Sequence, residues 1–416
     1  MRMCFVSNYV NHHQIPFCDA MYQLLQESFC FLQMEAMEEE RIRMGWQEVK
    51  ELPYLCSYDK EPQRCQQLID TSDVVLYGGV EEERYLTERL RSKKPVIRYS
   101  ERLYKTGQWR AVSPRGLLKK YRDHTRYRKE PIYLLCAGAY VASDFHIVRA
   151  YPSKMLRFGY FPETRYYDED ELFAQKGSQS QGTRVPRLLW AARFLDWKHP
   201  ELVLQTAKWL KERGYQFHMD IIGGGEKEAM VKALYEEYDL ADVVTLQGYR
   251  TPEEVRSFME KADIYLMTSD RKEGWGAVVN EAMNSGCAVI GNHMVGAVPY
   301  LIQHGENGFV YRDGCEQMLF ELVERLLKDE ELLRRIWRNA YRTITREWNA
   351  GEAAARLTAF CVKCGFLPKD AVMPELLAER QGYLEQQELY FQTGPCSAAP
   401  IVAERSMFAA LTGKTQ

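Results

Sequence analysis

A chain of 416 residues is long for one hydrophobic core, so two domains are expected. It is 46% hydrophobic and 27% charged with a net charge of −3, the composition of an ordinary soluble protein. No apolar run reaches the length of about 18 residues that a membrane-spanning helix needs, which excludes that class. Met1–Met3 leads directly into FVSN, without a basic region and apolar block, so no secretory signal is expected. Eleven scattered cysteines fit reduced thiols better than a disulfide framework, and a cytoplasmic location follows as the expectation.

In chain order, the first half offers short apolar runs: MCFVSN, SFCFLQM, DVVLYGG, PVIRYS, YLLCAG and MLRFGY. Between them lie stretches with helical spacing, such as Ile15–Gln26 and Glu82–Arg91. Apolar strand alternating with amphipathic helix predicts a parallel sheet covered on both faces. Residues 1–165 are read as this first domain. Residues 166–185 are polar and acidic and end in GSQSQG, the composition of a linker.

The pattern restarts with RLLWAARF, a helix over Leu202–Arg213 and FHMDIIGGG. VVTLQG, ADIYLM and CAVIG are the next strands, and Leu319, Leu322, Val323, Leu326 and Leu327 mark a closing helix. The second domain is placed at 186–345. Helices are expected over Glu330–Trp348 and Ala350–Cys364, with 346–365 returning to the first domain. Residues 366–416 are a Gln-, Pro- and Ala-rich tail, expected to be partly disordered. The fold class is therefore α/β with two Rossmann-like units.

The chemistry concentrates in TSDRKEGWGAVVNEAMNSGCAVIG. Glu273 follows a strand inside a glycine-rich turn, and Glu281 lies on the next helix, seven residues intervening. In an open α/β sheet ligands bind at the carboxyl ends of strands, so both acids can reach one crevice. The alternative is a pair of solvated helix acids. Arg193 and Lys198 follow the first strand of the second half. Together they could clamp a diphosphate, Arg as a planar fork and Lys as a point charge; separately each is a surface cation. Gly223, Gly224 and Gly225 form a strand-to-helix turn that lets backbone pass close to a ligand. Glu228 stands where a dinucleotide fingerprint needs its third glycine, which disfavours NAD. GKT at 413–415 lacks the first glycine of a phosphate loop, Phe408 standing there.

RFLDWK, IIGGGE, LQGYRTPEEV, EGWGAVVNEAMNSGCAVIG and HGENGFVY, in this order across 186–346, resemble the retaining GT-B glycosyltransferases of the family-four, group 1 type. The resemblance implies two facing Rossmann-like domains, a C-terminal helix crossing back to the first, and a nucleotide-sugar donor held by the second. It favours a UDP-sugar, transfer with retention, and no metal or other cofactor. By position it implies that Arg193 and Lys198 bind the diphosphate, and that Glu273, with the Trp275 and Gly276 backbone, holds the sugar. The amides of Ala277 and Val278 would meet the distal phosphate and Glu281 the ribose. Gly248, Tyr249 and Arg250 would lie against the base, with Gly223–Gly225 bordering the nucleotide. The acceptor would be a glycan, a lipid-linked sugar or another hydroxyl compound in bacterial cell-surface glycan assembly. A phosphorylase on the same framework, or a non-catalytic scaffold, is the alternative.

The departures from the family pattern lie in the first half. NYVNHHQ replaces the usual Gly-Gly after the first strand, and His12 and His13 either face the cleft or sit on the surface. Glu101, after PVIRYS, stands near the place of the family's catalytic His or Asp. It either serves there, pairs with Arg102 or is simply exposed. The acidic DED at 168–170 reads as a solvated charge run rather than a metal motif. Cys361 and Cys364 form a single CxxC without the further ligands zinc requires.

Residues 109–129 carry eight Arg and Lys and one Asp, mixed with Trp109, Leu117, Leu118, Tyr121 and Tyr127. This suits either an anionic membrane surface or a solvated helix covering the sheet. Nucleic acid is not expected, since no binding motif accompanies the charge.

Overall fold

The computed structural model describes residues 2–39, 49, 51–176, 178–180, 183–368 and 370. Most of the expected C-terminal tail, including 413–415, lies outside them. The chain forms two compact units: one runs to Glu163 and resumes at Asn349, and the other is Thr164–Trp348.

In the first unit the strands are β1 (Met3–Ser7), β2 (Phe29–Gln33), β3 (Leu55–Ser57), β4 (Val74–Gly78), β5 (Val96–Ser100), β6 (Ile132–Ala137) and β7 (Met155–Phe158). All pair in parallel, in the order β3-β2-β1-β4-β5-β6-β7. Every residue of β1 is buried, as a strand covered on both faces requires. Cys4 and Val6 join Leu68, Ile69 and Phe145 in one apolar layer. Phe5 turns the other way, edge-on to Phe17 of the helix Ile15–Leu25 at 6.2 Å. That helix also packs against Ala350–Lys363, where the hydroxyl of Thr358 lies 3.9 Å from the sulfur of Met21. Arg89, fully buried, donates to the carbonyls of Ile69, Ser72, Asp73 and Pro95 and so ties the 69–73 stretch to the residue just before β5.

The second unit opens with a segment expected to be a linker. Asp168 caps a helix over Glu169–Ala174, accepting from the amides of Asp170 and Glu171 at 3.0 Å each. The acidic run thus complements a helix N-terminus. Leu172 and Phe173 of this helix are buried in the core of the second unit. Two apolar side chains are enough to fold a segment whose average composition is polar. A hairpin, β8 (Ser178–Ser180) and β9 (Thr183–Val185), follows.

The second sheet contains β10 (Arg187–Ala191), β11 (His218–Ile222), β12 (Val244–Gly248), β13 (Ile264–Met267), β14 (Ala288–Asn292) and β15 (Phe309–Tyr311). These are parallel, in the order β12-β11-β10-β13-β14-β15. Leu188 and Trp190 share a core with Val203, Ala207 and Leu210 of the helix Pro200–Glu212. Helices Glu316–Lys328 and Glu330–Arg342 close this unit, the second continuing as a π-turn over Thr343–Glu347. The helix Ala350–Lys363 belongs to the first unit. The three-residue strands β3 and β15 were not expected as strands, being too short to show a period.

Candidate functional site

Strand order reverses direction between β10 and β13, which makes the space beyond their carboxyl ends the switch point where open α/β sheets bind ligands. The loop after β10 carries Arg193 and Lys198, and the loop after β13 carries Glu273. Three bonds fasten these loops together. The Trp190 indole donates to the Thr268 hydroxyl at 2.8 Å, and that hydroxyl donates to the Lys198 carbonyl at 2.6 Å. The Asp270 amide donates to the Trp197 carbonyl at 2.9 Å. The Lys198 ammonium consequently meets the Glu273 carboxylate directly, the two side chains retaining only 14% and 15% exposure. Two residues expected to serve opposite ends of a ligand are thus partners of each other. The ammonium also lies 4.3 Å from the centre of the Trp197 ring.

His199 follows Lys198 with a left-handed backbone, φ 52° and ψ 56°, just before the helix Pro200–Glu212. Its Nδ1 is 2.8 Å from Glu201 Oε1 and its Nε2 is 3.8 Å from Asp270 Oδ2. These carboxylates, Asp270 first and Glu201 second, raise its pKa to about 10. Sequence reasoning missed His199, Asp270 and Thr268. The His-Pro step immediately after Lys198 was the available signal for the first.

The triple glycine is required by its neighbours in the chain. A Cβ on Gly223, at φ +140°, would stand 1.9 Å from the Ala192 carbonyl oxygen. One on Gly225 would stand 3.1 Å from the Phe194 carbonyl oxygen. The turn is laced to the Arg193 loop, with Phe194 N donating to Gly224 O at 2.8 Å and Lys227 N to Phe194 O at 3.0 Å. The glycines therefore set the position of the loop that presents Arg193, itself half-buried. Gly223 N also donates to Gly248 O at 2.9 Å, which brings the Gly248–Arg250 loop alongside. Tyr249 there is 68% exposed, and Arg250 bonds Gln247 at 3.2 Å.

Trp275 is a core residue. It is 1% exposed, donates to Asn280 Oδ1 at 2.8 Å and stacks on Trp348 with centroids 5.7 Å apart. Its carbonyl accepts from Ala297 N at 2.9 Å. The indole thus anchors the turn in which Gly276 takes φ +88°. Beyond it, Ala277 and Val278 begin the helix Val278–Asn284, and Glu281 stands in its first turn, half-exposed. Burial raises the pKa of the Tyr265 phenol, and the charges of Glu281 and Glu273 add to that rise.

The candidates in the first unit assemble at the carboxyl ends of β1, β5 and β7. The His13 amide donates to Asn11 Oδ1 at 3.0 Å, and the His12 and His13 rings are 3.9 Å apart. His12 is exposed and His13 half-buried. The His13 ring lies parallel to Tyr160 at 6.5 Å, and the Tyr160 hydroxyl donates to Glu101 Oε1 at 2.7 Å. Glu101 Oε2 accepts from Lys105 at 2.5 Å. The expected alternative of pairing with Arg102 is corrected here. Arg102 is buried against Asp144 at 3.5 Å and lies 5.0 Å from the Tyr140 ring centre. Tyr160, unnoticed in the sequence, connects the two candidate groups. Among the described residues no three His, Cys, Asp or Glu side chains gather as a metal site would need.

Residues 173–343 match the family model described as glycosyl transferases group 1. The second unit belongs to this family. Among curated relatives, this chain is 32% identical over 149 residues to an amylovoran biosynthesis glycosyltransferase of Erwinia amylovora, covering 35% of this chain and 36% of that one. It is 26% identical over 168 residues to a putative colanic acid biosynthesis glycosyltransferase of Salmonella typhimurium, covering 39% and 41%. The matches therefore span well under half of those relatives. A trehalose synthase of Pyrococcus horikoshii is 33% identical over 156 residues, covering 35% and 36%. Among solved structures, Anabaena HepE in complex with UDP superposes with a TM-score of 0.62 at 14% identity, covering 87% of this chain and all of that one. A Rickettsia africae glycosyltransferase does so with 0.62 at 13%, covering 88% and 99%. The GT-B fold is thus shared over most of the chain, whereas sequence likeness is concentrated in the group 1 unit. Among the described residues no helix is long and apolar enough to cross a membrane.

Proposed function

We propose that the chain transfers a sugar from a nucleoside diphosphate sugar to a hydroxyl acceptor, with retention of anomeric configuration. The observation that carries this is the Lys198–Glu273 pair at the switch point of a group 1 unit, with Arg193 on the same loop as Lys198. A donor sugar presents a diphosphate and a ring of hydroxyls side by side, which calls for a cation and a carboxylate side by side. Glu273 accepts from sugar hydroxyls, and Arg193 and Lys198 take the diphosphate. Glu281 holds the ribose, and the loop of Gly248, Tyr249 and Arg250 borders the base.

In the reaction the bond between the anomeric carbon and the phosphate oxygen breaks, and its electron pair leaves with the diphosphate. Arg193 and Lys198 stabilise the charge that develops there, the usual largest source of catalysis in such sites. The acceptor oxygen bonds the same carbon on the same face, and its proton passes to the departing phosphate oxygen. No metal and no enzyme nucleophile is assigned a step. UDP is the favoured nucleotide, supported by the UDP complex of the structurally similar HepE. Assembly of a bacterial surface polysaccharide is supported by the amylovoran and colanic acid relatives.

A panel of UDP-, GDP-, ADP- and CMP-sugars tests this. A saturating UDP-sugar should raise the melting temperature by mass action, equivalent to about 2.7 kcal/mol at a hundredfold excess over Kd. Turnover should release UDP only when acceptor is present. Release of sugar phosphate from a glycan, driven by inorganic phosphate without nucleotide, would establish a phosphorylase instead. Donor binding without turnover over a broad acceptor set would leave only a scaffold.

A further inference from the structure

The basic segment before β6 forms a helix, Pro114–Asp123, capped by Ser113, whose hydroxyl accepts from the Gly116 amide at 3.4 Å. Six large apolar residues are exposed among the described residues, and four of them are here: Val112 at 59%, Leu117 at 41%, Leu118 at 68% and Tyr121 at 57%. Scattered exposure is ordinary, but three of these within one turn and a half of helix, with Val112 just before it, mark an interaction surface.

The orientation of the helix is the decisive feature. With about 3.6 residues per turn, Leu117, Leu118 and Tyr121 share one arc, and Gly116 and Asp123 lie opposite. The inward arc is the polar one. Asp123 is buried, its carbonyl accepting from Arg98 at 3.0 Å, and next to it His124 Nδ1 sits 2.6 Å from the Tyr151 hydroxyl. The helix is therefore pinned by its C-terminal end while its apolar arc is turned away from the protein. Arg115 and Arg122, both exposed, stand beside that arc. The apolar arc of this helix therefore does not cover the sheet.

We infer that Pro114–Asp123 docks this protein onto an anionic lipid bilayer surface, with Leu117, Leu118 and Tyr121 entering the interface and the basic residues meeting headgroups. Charge complementarity selects this occupant. A chain of net charge −3 gathers eight basic residues and one buried acid between 109 and 129. An interfacial helix combines an apolar arc with flanking Lys and Arg, whereas binding to a polyanion through charge alone makes no use of outward leucines. The inference rests on the first unit and is independent of the sugar-transfer reading.

Sedimentation with vesicles tests it, using phosphatidylcholine alone and phosphatidylcholine with about 30 mol% phosphatidylglycerol at low and high salt. The full chain should bind the anionic vesicles, ignore the neutral ones and release as salt rises. Leu117→Ser/Leu118→Ser should weaken partitioning at least about tenfold, and each of Arg115→Glu and Arg122→Glu more than about fivefold. All four positions are exposed, and unchanged melting curves would show the fold intact. Indifference to anionic vesicles at low salt would overturn the inference. So would unaltered binding by the double-serine variant, which would indicate charge alone. Self-association, seen by analytical ultracentrifugation and lost in that variant without vesicle binding, would assign the surface to a second copy instead.

Discussion

Replacing Lys198 and Glu273 separately and together distinguishes what their pairing does for the fold from what it does for the reaction. Glu273→Leu leaves an ammonium only 14% exposed without its carboxylate, and Lys198→Met leaves the carboxylate equally stranded. Removing one member of a buried ion pair costs about 3–5 kcal/mol, and the residual exposure here brings this toward about 2–3 kcal/mol. For a unit of this size each kcal/mol shifts the melting temperature by about 2–4 °C. The double variant replaces both charges by apolar groups and should recover most of the loss, giving a coupling of about 1–3 kcal/mol in the double-mutant cycle. Activity should not recover, since the donor loses both its cation and its hydroxyl acceptor, with kcat down by about 10²–10³ in each variant. Urea denaturation and UDP release read the two effects separately. A coupling near zero would refute the pairing, and full turnover in Glu273→Leu would refute the site.

Gly223→Ala should destabilise the protein by about 3 kcal/mol or more, because its Cβ would meet the Ala192 carbonyl at 1.9 Å and neither backbone can yield easily. Gly214→Ala is the control: nothing lies within 4 Å and φ is +75°, so only the left-handed penalty of about 1–2 kcal/mol applies. Equal losses in the two variants would show that the Gly223 turn does not approach the Arg193 loop. His199 contributes stability in the opposite sense to a carboxylate: its folded pKa of about 10 lies above the unfolded value of about 6.5. The contribution is complete below about pH 6.5 and is lost as pH rises toward 10. His199→Asn, which tolerates the left-handed backbone, should flatten the melting temperature against pH in that window. An unchanged profile would exclude the contact with Asp270 and Glu201.

Both units, their strand-helix alternation and the loops after β10 and β13 are written locally. MCFVS, RLLWA and DIYLM are apolar because strands in a doubly covered parallel sheet must be, and that pattern needs no partner to be read. Arg193, Lys198, Glu273 and Glu281 were recognisable by residue type and by their place after strands. What those side chains touch was not. Lys198 and Glu273 are 75 positions apart, and only the adjacency of β10 and β13 makes them partners. The glycines at 223–225 looked like room for a ligand, but the neighbouring loop is what fills the space a Cβ would need at Gly223. Trp275 was expected to serve through its backbone, and only the fold shows that its side chain is core, with Trp348 stacked on it. Glu101 bonds Lys105, four residues on, and Tyr160, just beyond β7, while Arg102 is taken by Asp144. The amphipathic pattern at 117–121 was plain in the sequence. Which of its faces meets the protein was decided by the burial of Asp123 and His124, and that choice leaves the leucines outside.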